Sequence, residues 1–337
     1  MQRLLPTRAS AAFLAAAFFA AHAGAQTHST GSEPALSLPK GQAWPAQPIK
    51  MIVARDPGAA ALQIAYVICP YLSGAFRVSV FPESPQGEDA VQLAASAKPD
   101  GYTLLFAPAS ALVISPYITD LVPYSPEDDF AGVAMVGSTP FVVVANPALN
   151  VKSLADLITL AREAPGRLAY ASPGPRTMPG ILGEMLRKRT GIELMPVLHG
   201  GRQSVRDTIA GRTHFGVETV PAIATAVQRG QLRALAVSSA KRLPELKDVP
   251  TFAEVIPGFE FSAWYAVVAP SGTPDAVIQR VNLAMSRILA DPAIELRLNL
   301  LGIYPEGTPA PAQVDAFFAS ERAFWRKTAR ELKLEPE

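Results

Sequence analysis

The sequence predicts an α/β protein built as two α/β lobes joined by two crossing segments, and three observations carry that reading. From Ile49 onward, apolar runs of four to seven residues alternate with helical patterns, the rhythm of strand–helix units and parallel sheets. Two apolar strands that end in proline, FVVVANP (Phe141–Pro147) and WYAVVAP (Trp264–Pro270), bracket a middle block of about a domain's length. The chain has 337 residues, 49% apolar and 18% charged, enough for two proper cores. The expected layout is a targeting segment at 1–25, a leader at 26–47, a first lobe from 48–142 plus 265–337, and a second lobe from 143–264. A ligand of such a body belongs in the cleft between lobes, where strand ends and helix N-termini face one another.

The elements follow in order. Arg3 and Arg8 precede an unbroken apolar run from Ala11 to Ala21, and Ala23-Gly24-Ala25 offers small residues for cleavage before Gln26. That is the pattern of a secretory signal peptide, too short to span a bilayer. No later run reaches transmembrane length, so stable membrane insertion is not expected. Without Arg3 and Arg8 the chain carries 28 basic against 29 acidic residues and no basic block, which argues against nucleic acid as a partner. The leader Gln26–Gln47 is polar and rich in Pro, Ser and Gly. Strands are expected at Ile49–Ala54, Arg77–Phe81, Thr103–Ala107, Gly132–Val136, Phe141–Ala145, Leu168–Ala171, Glu193–Val197, Phe215–Glu218, Arg233–Val237 and Phe261–Ala269. Ser153 caps a helix with the apolar face Leu154, Leu157, Ile158 and Ala161, which Pro165-Gly166 ends. Thr273-Pro274 caps another, with Val277, Ile278, Val281, Met285, Ile288 and Leu289 on its face; a last helix buries Val314, Phe317, Phe318, Phe324 and Trp325. The single cysteine, Cys69, falls inside a helix and reads as a buried, inert thiol.

Enzyme signatures are missing. There is no G-x-S-x-G elbow, P-loop, G-x-G-x-x-G or H-E-x-x-H. Of four histidines only His199 and His214 fall in the predicted folded part, and they make no metal set. The expectation is therefore no catalysis, no metal and no cofactor. Anion capture is the stronger theme. YASPGPRTMPGILGEML (Tyr170–Leu186) is a strand, a Ser-Pro-Gly-Pro-Arg-Thr bend and a helix. Such a bend offers backbone N–H groups and the positive end of a helix dipole, and Ser172, Arg176 and Thr177 add side-chain donors. It is equally the pattern of an ordinary β–α turn with a capping threonine. LHGGRQSVRDTIAG (Leu198–Gly211) repeats the theme with Gly200-Gly201 before a helix, where His199 or Arg202 faces either a cleft or solvent.

Longer motifs carry a family likeness across nearly the whole mature chain. WPAQPIKMIV (Trp44–Val53), KPDGYTLL (Lys98–Leu105), LRALAVSSAKRLPELKDVPTFAE (Leu232–Glu254) and PGFEFSAWYAVVAPSGTP (Pro257–Pro274) stand in the order found in one family. The chain resembles the periplasmic substrate-binding proteins of tripartite tricarboxylate transporters, the Bug family. The resemblance implies a type-II periplasmic binding protein fold whose lobes close on a small carboxylated molecule, which membrane transporter subunits then receive. It also implies that one ligand carboxylate is held by the first strand–helix loop, here Arg55–Leu62, and by the loop Ser172–Met178. The second loop keeps Tyr170, Ala171, Ser172, Gly174 and Thr177 of the family pattern.

The first loop departs from it. IVARDPGAAAL (Ile52–Leu62) keeps Pro57 and Gly58 but has Ala59 for the second glycine, Ala60 and Ala61 for hydroxyl residues, and Leu62 for aspartate. PESPQGED (Pro82–Asp89) replaces a glycine-rich segment, His199 stands where many relatives have lysine, and Glu218 where they often have aspartate. An added alanine Cβ restricts φ > 0 and close backbone approach, and lost hydroxyls remove donors. The expected ligand is accordingly unlike citrate: a monocarboxylate, an amino-acid-like molecule or an aromatic acid. The candidate ligand-binding residues are Arg55, Pro57, Gly58, Ala59, Ala60, Ser172, Gly174, Arg176, Thr177, His199 and Glu218, with Arg55 and Arg176 either neutralising charge or lying at the surface. The leading expectation is a soluble periplasmic solute-binding protein. The alternative is an exported sensing or docking protein with an eroded ligand site, and an exported hydrolase ranks below both.

Overall fold

The computed structural model describes residues 44–55, 60–85, 89–119, 122–199, 202–259 and 261–334; the signal expectation, the leader up to residue 43, and Pro57, Gly58 and Ala59 lie outside them. The strands are β1 (Ile49–Val53), β2 (Val80–Glu83), β3 (Thr103–Pro108), β4 (Phe130–Ala145), β5 (Ala169–Ser172), β6 (Met195–Leu198), β7 (Phe215–Thr219), β8 (Arg233–Val237) and β9 (Ser262–Pro270). The helices are α1 (Ala60–Phe76), α2 (Ala90–Ala95), α3 (Ser115–Ile118), α4 (Leu154–Glu163), α5 (Met178–Thr190), α6 (Arg202–Ile209), α7 (Val220–Gln228), α8 (Phe252–Val255), α9 (Asp275–Leu289), α10 (Pro292–Leu300) and α11 (Pro311–Leu332).

The strands run in the order β2-β1-β3-β9-β4-β7-β5-β6, with β8 also on β4. β4 is sixteen residues long and belongs to two ladders. Phe130–Pro140 pairs with β9, and Phe141–Ala145 lies between β7 and β8. The two strands expected at Gly132–Val136 and Phe141–Ala145 are thus one. Gly137-Ser138-Thr139-Pro140 reads as a break, but the strand continues through it. Pro140 has no N–H for a ladder, and it occupies the last rung to β9, where the ladder changes partners. The expected parallel sheet is mixed. β1 pairs β2 and β3 in parallel, and β5 pairs β6 and β7 in parallel. β9 runs antiparallel to β3 and β4, and β4 antiparallel to β7 and β8.

Period-two alternation sorts the core. Val142 and Val144 join a cluster with α7 residues Val220 and Ile223, whereas Val143 and Ala145 face a cluster with Leu157, Tyr170 and Leu182. The first sheet, β2-β1-β3-β9 with Phe130–Pro140 of β4, packs Ile49, Met51 and Val53 on Ile64, Ile68 and Leu72 of α1 and on Val281 and Met285 of α9; the second sheet is β5 to β8 with the rest of β4. Cys69 is buried in α1, and burial pushes its thiol up to about 12, so it is inert as a nucleophile. Ser153 caps α4 in a reciprocal box with Asp156. Thr273 does not cap α9: its hydroxyl donates to Pro270 O, and the helix starts after Pro274 without a side-chain cap. On α11 Val314, Phe318 and Trp325 are buried, with Phe317 and Phe324 at the cluster's edge.

Candidate functional site

β5 ends at Ser172, 2% exposed, and the bend 173–177 leads into α5. Thr177 is the extended N-cap; its Oγ1 accepts Gly180 N–H at 3.3 Å and donates to Gly174 O at 2.7 Å. The Thr177 amide also donates to Gly174 O (3.2 Å), and Gly174 N–H donates to Ser172 Oγ (3.2 Å). Gly174 has φ +132°, a region that only glycine adopts without strain. Thr177 therefore directs its hydroxyl hydrogen into the bend itself. Pro175 and Pro179 carry no N–H, and the amides of Arg176 and Met178 have no partner among the described residues. Two amides without a partner among the described residues thus stand at the positive end of a thirteen-residue helix, where negative charge is favoured.

Strand register sets what stands beside the bend. Ser172 is level with Leu198 of β6, and Ala171 with Gly216 of β7. Continuing each register outward brings Pro173, His199 and Glu218 into one row at the carboxyl ends of three parallel strands. His199 N–H donates to Ser172 O (2.9 Å), and His199 Nδ1 lies 3.1 Å from Asp207 Oδ2. Asp207, 1% exposed, also accepts Gln203 Nε2 (2.8 Å) and pairs with Arg212 Nε (3.0 Å). Oδ2 itself has no aligned hydrogen bond, and its contact with His199 is an ion pair only when the imidazole is protonated. Glu218 is half-buried and accepts a hydrogen bond from the Ser204 hydroxyl. Burial pushes Glu218 up to about 7, and the Ser204 bond offsets that only in part.

Ser204, Asp207 and Thr208 are all buried on α6 at the i, i+3, i+4 positions where a core helix ordinarily carries its apolar stripe. They are supporting residues that sequence reading passed over. The available signal was a polar stripe at core spacing between Gly200-Gly201 and Gly211.

A pH effect follows. The folded protein keeps the Glu218 proton between the unfolded value, 4.5, and about 7. The folded state therefore binds more protons over that window, and the contribution of Glu218 to stability falls as pH rises through it. Glu218→Gln removes that slope. Urea titrations of both proteins at pH 4.5, 6 and 8 are expected to show the variant gaining on the parent with each step; a constant difference contradicts this.

The other candidates lie apart. Arg55 is exposed at the end of β1 in the first sheet, and Ala60 is the half-buried first residue of α1. Arg176 is exposed at the bend. The second sheet thus brings together Ser172, Gly174, Arg176, Thr177, His199 and Glu218. His214 is structural: its Nδ1 accepts Ala169 N–H (2.9 Å) at the opposite end of β5. Among the described residues no group of three His, Cys, Asp or Glu could hold a metal ion, and no helix is long and apolar enough to cross a membrane.

Residues 86–333 match the family described as "Tripartite tricarboxylate transporter family receptor". The chain is 33% identical over 298 residues to the protein of the tcbD-tcbE intergenic region of Pseudomonas sp., covering 87% of this chain and 88% of that one. It is 33% identical over 295 residues to BugT of Bordetella pertussis, covering 86% and 90%. Among solved structures it is similar to R. palustris Rpa4515 with adipate, with TM-score 0.73 and 28% identity over 88% of this chain and all of that one. A TctC solute-binding protein from Polaromonas has the same fold, with TM-score 0.75 at 16% identity over 86% of this chain and 100% of that one.

Proposed function

The chain belongs to the tripartite tricarboxylate transporter receptor family, and from that premise we propose that it captures a small carboxylate-bearing organic molecule between its lobes and presents it to membrane transporter subunits. Receptors of this family are periplasmic solute-binding proteins with a two-lobed fold and are not enzymes. The observation that carries the ligand reading is the bend after β5, with its free Arg176 and Met178 amides at the head of α5. A charge-assisted hydrogen bond contributes about 1.5–3 kcal/mol net. Two of them cover about 3–6 kcal/mol of the roughly 8 kcal/mol of micromolar affinity. The adipate of Rpa4515, at 28% identity, supports the same class of guest.

The amino-terminal segment 1–25 is cleaved on export to the periplasm. The lobes are 48–142 plus 265–337 and 143–264, with the change of ladder partners at Pro140 and Phe141 and the start of β9 at Ser262 near both boundaries. Closure expels water from the cleft and completes the donor set around the carboxylate.

Native mass spectrometry of freshly purified protein, followed by calorimetric titration with a panel of acids, tests this. The expected result is a saturable micromolar binder among monocarboxylates, dicarboxylates or zwitterions. Citrate outranking every monocarboxylate and zwitterion removes the expectation drawn from the rewritten first loop. No thermal shift across a wide acid panel favours a docking protein instead.

A further inference from the structure

We propose that the ligand carries a hydrogen-bond-donating cationic nitrogen at the end away from its carboxylate, and that Glu218 is the residue that selects it. This rests on the carboxylate-receptor reading and narrows it to amino-acid-like zwitterions.

The geometry is a polarised row. At its centre the bend 173–177 offers amides and a helix N-terminus to an anion. On the β6 side stands His199, its Nδ1 against Asp207. On the β7 side, one strand away or about 5 Å, stands Glu218. Among the described residues the Glu218 carboxyl has one polar partner, the Ser204 hydroxyl, and no cation. The groups around it explain why. On its other flank β4 presents Val142, level with Glu218. The facing stripe of α6 carries Ser204, Thr208 and Asp207, and Asp207 is committed to His199, Arg212 and Gln203. Arg206 of the same helix is exposed, and α7 begins with the uncharged pair Val220-Pro221. The side chain of Arg202 lies outside the described residues.

A half-buried carboxylate with a single hydroxyl donor is under-compensated. Two kinds of guest relieve it. An ammonium supplies the missing charge directly. A second carboxylate meets Glu218 only if the pair shares a proton, because like charges so close oppose double ionisation. Above neutral pH that proton is scarce, so the row favours the ammonium. The raised titration of Glu218 agrees, since an unpaired acid in this position holds its proton until a cation arrives.

The test is calorimetric titration of the full mature protein at pH 8 with two matched sets: 4-aminobutanoate, succinate and butanoate, then 6-aminohexanoate, adipate and hexanoate. The expected result, in at least one set, is the amino acid binding tenfold or more tighter than both the dicarboxylate and the monocarboxylate. Glu218→Gln is expected to weaken the amino acid at least tenfold and to leave the monocarboxylate within threefold. Arg202→Gln, made in parallel, is expected to preserve the preference. The unmodified protein alone decides the first comparison, so a poorly folding variant does not stall the test. A dicarboxylate or monocarboxylate matching or outranking the amino acid in both sets overturns the inference and leaves the carboxylate receptor intact. Unchanged preference in Glu218→Gln, or its loss in Arg202→Gln with Glu218 present, also overturns it. No binding by any of the six removes the carboxylate reading for these lengths and the inference with it.

Discussion

Gly180→Ala is expected to abolish saturable ligand binding or to destabilise the protein measurably, because the added methyl has nowhere to go. A Cβ at this position stands 1.9 Å from Gly174 O, 2.8 Å from Gly174 C and 3.1 Å from Ser172 Oγ. The first two are backbone atoms and cannot rotate aside. Alanine gains about 1 kcal/mol over glycine in helix propensity, and overpacking of this kind costs about 1–3 kcal/mol or more. The clash therefore wins or forces a backbone shift. If the bend holds, the cost appears in the melting temperature. If it moves to relieve contact, the amides of Arg176 and Met178 leave their positions and binding goes. Gly74→Ala is the control: Gly74 lies in α1, where an added methyl meets nothing within 4 Å and φ is not positive. It is expected to be neutral or stabilising by up to about 1 kcal/mol. Calorimetry and thermal melts of both variants check the pair, and wild-type binding and melting in Gly180→Ala would remove the close approach as a cause.

What the sequence disclosed and what it hid divide along physical lines. Strand–helix alternation and capping are local, so Ser153, the apolar face of α9 and the Ser172–Thr177 bend were legible from spacing. Ladder partnership is not local. Nothing near Gly137-Ser138-Thr139-Pro140 reveals that β9, more than a hundred residues on, holds one side of the strand while β7 and β8 take over beyond it. The same limit hid strand direction at β9. Of the site, the residue types at the bend were visible, but the use of the Thr177 hydroxyl was not. Its partner is the Gly174 carbonyl, whose aim depends on φ +132°. Ser204 and Asp207 went unseen for a related reason: a buried polar stripe on α6 has meaning only beside the Glu218 and His199 that it holds. The order of strands β6, β5 and β7 supplies that neighbourhood.

Tyr304→Ala is expected to cost about 3–5 kcal/mol, the range for removing a large buried ring, and to weaken ligand binding although Tyr304 is not among the site residues. The residue lies between α10 and α11, in chain that returns from the first sheet, yet its ring packs in the cluster of Val142, Val144, Val220 and Ile223 of the second. Its hydroxyl donates to Glu245, beyond β8. Its backbone exchanges two bonds with Ser138 (3.0 and 2.9 Å), Thr139 Oγ1 donates to Gly302 O (2.7 Å), and Ser138 Oγ donates to Glu306 (2.9 Å). A Cβ on Gly302 would stand 2.7 Å from Pro221 of α7. The segment 302–306 is thus a strap over the stretch of β4 where the ladder passes from one sheet to the other, in addition to the two crossing strands. Tyr304→Phe isolates the hydroxyl. It keeps the ring and is expected to lose about 1.5–3 kcal/mol, the range for a hydrogen bond to a charged group. Urea unfolding followed by fluorescence and by far-ultraviolet dichroism tests both variants. In Tyr304→Ala the two probes are expected to separate, because the strap no longer ties the second sheet's core to the first. Coincident curves with a loss under about 1 kcal/mol, well below the large-to-small range, would mean that the two crossing strands alone carry the coupling.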